Sequence, residues 1–267
     1  MLYIGTSGFS YQDWIGYFYP ETVKKGDMLS LYAKHFNSVE INASYYRIPP
    51  AAVYYQLQSK VPENFKFAVK ANQEMTHSRK ENQSVFQEFK ASLKPLLDSD
   101  KLGCVLAQFP FSFHYNRENI SYLGYFKGLT NPLPLVIEFR NIGWIREEVF
   151  EFLRENQIGI CAVDQPDLKG LLPPITKTTS DLGYIRFHGR NKENWWQHEQ
   201  AYQRYDYLYT ENELKEWIPK IKEIKNQTTD QYIFMNNHYR GKAAKNALLI
   251  KELLCQQFSS DEEKKDF

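Results

Sequence analysis

The sequence predicts one α/β domain, a TIM-type (β/α)8 barrel with a parallel sheet. Three observations point there. The 267 residues match the usual size of such a barrel and contain no linker-like stretch. Short apolar runs alternate with helical patterns eight times along the chain. Segments that follow the runs are long and segments that follow the helices are short, the asymmetry of a barrel that carries its function on the C-terminal rim.

Leu2 to Gly5 reads as the first strand, broken by Gly5 and Gly8, and a long aromatic loop runs to Lys25. Asp27 is placed to cap a helix reaching Phe36, with Met28, Leu31, Tyr32 and Phe36 on its apolar face. Strand two is Ser38 to Asn42, and Pro49-Pro50 then opens a helix to about Lys60, since proline suits a first turn. Strand three is Lys66 to Lys70. Val85, Phe86, Phe89, Leu93, Leu96 and Leu97 recur at helical spacing and predict one further helix. Strand four, Gly103 to Gln108, is stopped by Pro110. A helix near Arg117 to Lys127 leads to strand five, Leu135 to Phe139, and Trp144 to Glu155 is helical.

Strand six is Ile158 to Asp164, followed by a loop from Gln165 to Ser180 and by strand seven, Gly183 to His188. The loop Gly189 to Tyr209 precedes a helix with Thr210 and Glu213 spaced as a capping box. Strand eight is Gln231 to Asn236 and the last helix runs from about Gly241 to Phe258. The barrel domain is thus expected over residues 1–258, with residues 259–267 a charged, frayed tail.

Bulk composition narrows the function classes. The chain is 42% hydrophobic and 24% charged with a net charge of +1, so no global field draws it to nucleic acid or an acidic membrane. Cys104, Cys161 and Cys255 form no metal or disulfide pattern and read as buried small hydrophobes in a reducing compartment. No apolar stretch approaches the ~20 residues of a membrane span and no signal-peptide pattern opens the chain, so the expected location is the cytoplasm.

Seven of the apolar runs end in polar or charged residues: Glu40 and Asn42, Lys70, Gln108, Glu138 and Arg140, Asp164, Arg186 and His188, and Asn236. In parallel strands these endings converge on one rim. Alternation places Glu138 with Arg140, Arg186 with His188, and Glu40 with Asn42 on common faces, and charges on an outward face would meet apolar helices, so these pairs point inward. An internal salt-bridge network, such as Glu138 with Arg186 or Glu40 with Lys70, already explains part of the pattern, because buried charges must pair. The whole asymmetric ring suits a ligand better.

Glu40, Glu138 and Asp164 are therefore acid–base candidates, with His188 as proton carrier. Lys70 is either the positive partner of Glu40 or an amine able to form a Schiff base. A divalent metal is the weaker reading, since paired-ligand spacing is absent, and no cofactor is assigned. Phosphate binding is expected at the start of the last helix, where Asn236, Asn237, Arg240 and Lys242 meet free N–H groups, with Gly189-Arg190 alongside. Ser7, in Gly5-Thr6-Ser7-Gly8, reads as a turn or anion contact, because the nucleophile-elbow spacing fails. Trp195, Trp196, Tyr202, Tyr205, Tyr207 and Tyr209, interleaved with Lys192 and Arg204, can stack bases or sugars or form a lid that packs on the rim.

The chain resembles the YecE-like family, domain of unknown function 72, over nearly its whole length. The resemblance rests on Ile4-Gly5-Thr6-Ser7-Gly8-Phe9-Ser10-Tyr11 with Trp14 and Phe18-Tyr19-Pro20, on Phe36-Asn37-Ser38-Val39-Glu40-Ile41-Asn42 with Tyr45-Tyr46, and on Thr76-His77. It continues through Gln108-Phe109-Pro110, Glu138-Phe139-Arg140 with Trp144, Asp164-Gln165-Pro166, Arg186-Phe187-His188-Gly189-Arg190, and Asn236-Asn237 with Asn246-Ala247. Phe9 stands where the family more often has Trp, a difference of local packing. The resemblance implies a TIM-type barrel and transfers no reaction.

Two functional expectations follow. The first is a phosphate- or sugar-containing ligand at the C-terminal rim, handled by a hydrolase or lyase, with Ser7, Asn42, Gln108, Arg140, Arg186, Arg190, Asn236, Asn237 and Arg240 as ligand contacts. The second is a nucleic-acid-binding barrel without catalysis, in which loop aromatics stack bases and Arg190, Arg204, Arg240 and Lys242 meet phosphates. Net charge speaks against the second.

Overall fold

The computed structural model describes residues 1–257. All eight runs are strands: β1 (Leu2–Thr6), β2 (Ser38–Ile41), β3 (Lys66–Lys70), β4 (Leu102–Gln108), β5 (Leu135–Glu138), β6 (Ile158–Asp164), β7 (Leu182–Phe187) and β8 (Asp230–Met235). They pair in parallel in the order β1-β8-β7-β6-β5-β4-β3-β2. With helices between them, they make a nearly closed (β/α)8 barrel in a single domain. The expected charged tail lies outside the described residues.

The connecting helices are α1 (Met28–Tyr32), α2 (Ala43–Tyr46), α3 (Ala51–Gln58), α4 (Gln83–Ser92), α5 (Lys94–Asp98), α6 (Arg117–Thr130), α7 (Glu147–Glu155), α8 (Glu211–Lys215), α9 (Ile218–Lys225) and α10 (Lys242–Gln257). The single helix expected across Val85 to Leu97 is two, α4 and α5. Pro95 has no N–H to donate and its ring clashes with the preceding turn, so the chain restarts there. Helix α1 is shorter than its apolar pattern, and Asp27 stands at its N-cap without a side-chain bond. Thr210 and Glu213 cap α8 reciprocally, as their spacing predicts. No helix of the described residues is long and apolar enough to cross a membrane.

The seam between β1 and β2 shows how the barrel closes. The two strands do not form a regular ladder. Side chains stand in for part of it: Asn37 accepts from the Ile4 amide and donates to the Leu2 carbonyl, both at 2.8 Å. The buried Tyr32 hydroxyl accepts from the Thr6 amide at 2.8 Å and donates to the Ser38 carbonyl at 3.1 Å. At the top, a bridge between Ser7 and Glu40 and a 2.8 Å bond from the Gly8 amide to the Glu40 carbonyl complete the closure. Gly5 has no side chain because none fits: a Cβ would lie 2.1 Å from the Ser38 carbonyl oxygen and 2.7 Å from the Tyr32 hydroxyl.

This geometry makes Gly5→Ala costly, by about 2–3 kcal/mol or more, since the obstacle is backbone and cannot rotate away. Gly128→Ala on α6, where a Cβ meets nothing within 4 Å, is expected to stabilise by about 0.5–1 kcal/mol. Urea unfolding of the two variants checks the contrast, and equal effects would refute the seam account.

Candidate functional site

Alternation carries the polar strand endings into the barrel. Glu40, Glu138, Arg186 and His188 are at most 1% exposed. Arg186 is the centre. One terminal nitrogen donates to Glu138 Oε2 at 2.6 Å and the other to Glu40 Oε1 at 2.7 Å, so one guanidinium forks between two carboxylates. The second terminal nitrogen also lies 3.4 Å from Ser7 Oγ. The other oxygen of Glu40 accepts from the Tyr184 hydroxyl at 2.7 Å. The other oxygen of Glu138 meets Arg140 Nε at 2.8 Å and His188 Nε2 at 3.1 Å. Four carboxylate oxygens are thus occupied. Glu138 is paired as expected, whereas Glu40 takes Arg186 and Tyr184 rather than Lys70.

Burial raises the Glu138 carboxyl, but Arg140, Arg186 and His188 outweigh it and hold the group well below its ordinary 4.5. His188 is pushed down as well, to about 3, by burial and by Arg140, with Glu138 opposing. Its hydrogen bonds agree with a neutral ring. Asn236 Nδ2 faces Nδ1 at 3.0 Å, which makes Nδ1 the acceptor and leaves the Nε2 proton for Glu138. Neither nitrogen is free to carry a proton to a ligand.

Above this floor lies a cavity of about 750 Å³, lined by strand ends and by the loops that follow β2, β3, β4, β7 and β8. Asn42, Lys70, Gln108, Arg140, Arg186 and Asn236 from the predicted set line it. So do Tyr45 from α2, His77, and Trp195, Trp196, Arg204 and Tyr205 from the loop after β7. Among the described residues, no aspartate or glutamate lines it. Arg140 and Arg204 stand on Trp195, their guanidinium carbons 5.8 and 5.4 Å from its ring centroid. Asn42 Oδ1, Arg186 Nε and His238 Nδ1, all on lining residues, are buried atoms without a hydrogen-bond partner.

Lys70 is half-buried on this wall. It donates to Gln108 Oε1 at 2.9 Å and lies 4.5 Å from the Tyr45 ring centroid. Burial and Arg186 lower its ammonium to about 7, against the pull of Glu138 and Glu40. His77, on a π-turn at Glu74–Ser78, is lowered to about 4 by burial and by Lys70.

Several expected contacts sit elsewhere. Asp164 does not join the ring. Cys161 Sγ lies 4.0 Å from Glu138, so Cys161 faces inward, and three residues later the alternation turns Asp164 outward. There it accepts from the Tyr209 hydroxyl (2.6 Å), Trp217 Nε1 (2.6 Å) and Arg190 (2.7 Å). Arg190 is therefore held by Asp164, and by Glu216 at 3.0 Å, away from the cavity. The anion corner at the start of α10 is also neutralised. Lys242 pairs with Asp206, the Arg240 amide donates to Asp13 at 2.7 Å, and Asn237 is buried against Asn246 and the Tyr207 carbonyl. Ser7 is fully buried and joins the seam rather than the cavity wall. Of the loop aromatics, Trp195, Trp196 and Tyr205 line the cavity, while Tyr202 stacks on Tyr239 at 4.3 Å and Tyr209 packs on Phe187.

Tyr45, His77 and His238 are lining residues that the pattern of strand endings does not select. Each follows a strand by a few residues, and Tyr45 and His77 also stand in the motifs that carry the family resemblance. Among the described residues no group of three or more His, Cys, Asp or Glu side chains is placed to hold a metal ion.

The chain belongs to the family described as protein of unknown function DUF72, whose profile matches residues 3–266. It is 35% identical to the UPF0759 protein YunF of Bacillus subtilis (strain 168), across 97% of this chain and 96% of that one. It is similar to the crystal structure of a DUF72 family protein from Thermotoga maritima MSB8, with 40% identity, a TM-score of 0.88, and 95% and 99% of the two chains covered. A DUF72 family protein of Enterococcus faecalis V583 superposes with a TM-score of 0.85 at 29% identity, covering 98% and 97%.

Two predictions come from the floor. Arg186→Met leaves two buried carboxylates without their shared cation and is expected to cost at least about 3 kcal/mol in urea unfolding. The pH dependence has a defined sign. His188 is held near 3 against an ordinary 6.5, and Glu138 well below 4.5, so both bind protons more readily when unfolded. Their contribution is complete above pH 6.5 and is lost on acidification, first through His188 and then, below 4.5, through Glu138 as well. Each proton gives a slope of up to about 1.4 kcal/mol per pH unit. His188→Gln should reduce the slope between pH 6.5 and 4.5 by one proton, and His77 keeps a residual slope in that window. An unchanged slope in this variant refutes the assignment of a buried neutral His188.

Proposed function

We propose that this protein binds a small anionic ligand, a phosphate-bearing compound with a sugar or other ring, in the rim cavity. The observation that carries this reading is the sign of the wall: Lys70, Arg140, Arg186 and Arg204 line it and, among the described residues, no carboxylate does. Arg140 and Arg186 are already paired with Glu138 and Glu40, so a neutral or cationic ligand would leave Lys70 and Arg204 without an opposing charge. The unpartnered Arg186 Nε supports the same reading as a donor awaiting an acceptor. Trp195, Trp196 and Tyr205 offer faces for the ring.

Within this reading Glu40 and Glu138 position Arg186 and Arg140 and do not act as a glycosidase-like acid–base pair, because their oxygens are filled by donors beneath the cavity. Lys70, lowered to about 7, is a wall group able to exchange protons near neutral pH. A small ligand is favoured over a nucleic-acid strand. Arg190 and Lys242, two of the cations such a strand would need, are bound to Asp164 and Asp206.

Isothermal titration with inorganic phosphate and with ribose 5-phosphate tests the reading. Both should bind, the sugar phosphate more tightly, while free ribose binds at least about tenfold more weakly than its phosphate, as loss of a charge-assisted contact implies. Arg204→Ala should weaken the phosphate ligands about tenfold and leave ribose unaffected. Equal affinity for ribose and ribose 5-phosphate would overturn the proposal.

A further inference from the structure

We propose that Lys70 condenses with a carbonyl group of the bound anion, so that the cavity takes a phosphorylated aldehyde or ketone and holds it as an imine. This rests on the anionic-ligand reading and adds a substrate class and a covalent step.

Among the described residues Lys70 is the one lysine that lines the cavity. Its surroundings differ from those of ordinary lysines in the chain. Lys94, Lys215 and Lys242 each face a carboxylate in an ion pair. Lys70 faces the neutral Gln108 carbonyl oxygen and the Tyr45 ring. The charged groups that act on it are Glu40 from β2, Glu138 and Arg140 at the end of β5, and Arg186 from β7. His77 from the π-turn is coupled to it as well. The two carboxylates in that set are engaged by Arg186 and Arg140, so neither forms an ion pair with the amine. Burial and the neighbouring guanidiniums bring it to about 7, where a large fraction is the free amine at neutral pH.

The contacts suit both ends of the reaction. The free amine attacks the carbonyl carbon, an N–C bond forms, and the carbonyl π electrons move to oxygen, which takes a proton. The amine nitrogen loses a proton, the hydroxyl takes a second one, and the C–O bond breaks as water leaves. The product is a protonated iminium with one N–H. That N–H can donate to Gln108 Oε1, and the cation stays over the Tyr45 ring, so the two contacts of the ammonium are kept. His77, on the same wall and 5.1 Å from Tyr45 between ring centroids, is neutral at pH 7 and able to pass protons. Arg140 and Arg204, both on Trp195, are placed for the phosphate.

Borohydride trapping of the intact chain with glyceraldehyde 3-phosphate, followed by peptide mapping, tests this. A single reduced adduct on Lys70 is expected, formed at least about tenfold faster than with unphosphorylated glyceraldehyde. Its rate should rise with a half-point near pH 7, and inorganic phosphate should slow it. Lys70→Arg, which cannot form an imine, should lose the adduct, while the unsubstituted chain binds inorganic phosphate by titration. Absence of adduct on Lys70 while phosphate binds would overturn the imine and leave the anion reading standing. Absence of both would overturn both. Equal trapping of the two aldehydes would overturn the anionic substrate class.

Discussion

The fork of Arg186 between Glu40 and Glu138 is the constraint on which the rest of the structure depends. β7 pairs with β6 and β8 in the sheet, so its arginine reaches β2 and β5 only across the barrel interior. Three charges removed from water require one another, and the loss of any one leaves an uncompensated charge. Such a cluster adds little net stability over apolar packing. Its value is in register: a one-residue slip of any of the three strands would turn its charge outward against a helix.

Once the fork is formed, the electrostatics above it are largely determined. Two carboxylates are matched by Arg186 and Arg140, and the Asn236 contact leaves His188 neutral between Glu138 and Asn236. The floor is therefore balanced without Lys70 and Arg204. Those two cations belong to the wall, and the acids that would neutralise them elsewhere are absent from it. The described acids of the site are thus beneath the cavity surface, and Lys70 and Arg204 remain on it.

The parallel sheet and the inward pairs Glu138 with Arg140 and Arg186 with His188 were legible because alternation is strict and polar residues in an apolar run are conspicuous. Asp164 was not, because β6 is buried on both faces and its run carries no polarity that marks which side faces the axis. The basic residues Arg190 and Lys242 looked free because their acids, Asp164 and Asp206, lie 26 and 36 positions away in sequence. Tyr45 and His77 were hidden for a related reason: they sit on a short helix and a π-turn whose direction is set by packing after the strands end. Local pattern reports strand faces well, and it reports loop partners poorly.

The seam and the floor meet at one residue. Through its backbone Glu40 bridges Ser7 and accepts from the Gly8 amide, closing β1 against β2 at the rim. Through its side chain it holds Arg186, whose second nitrogen also reaches Ser7 Oγ. The Gly5-Thr6-Ser7-Gly8 turn thus acts in closure as much as in the site: Gly5 lets the strands approach, and Ser7 brings a neutral acceptor to the fork. Glu40 thus belongs both to the closure of the barrel and to the charged floor of the cavity. Without Glu40, Arg186 and Glu138 would lack their third member, and the cationic wall above them would rest on an unbalanced floor.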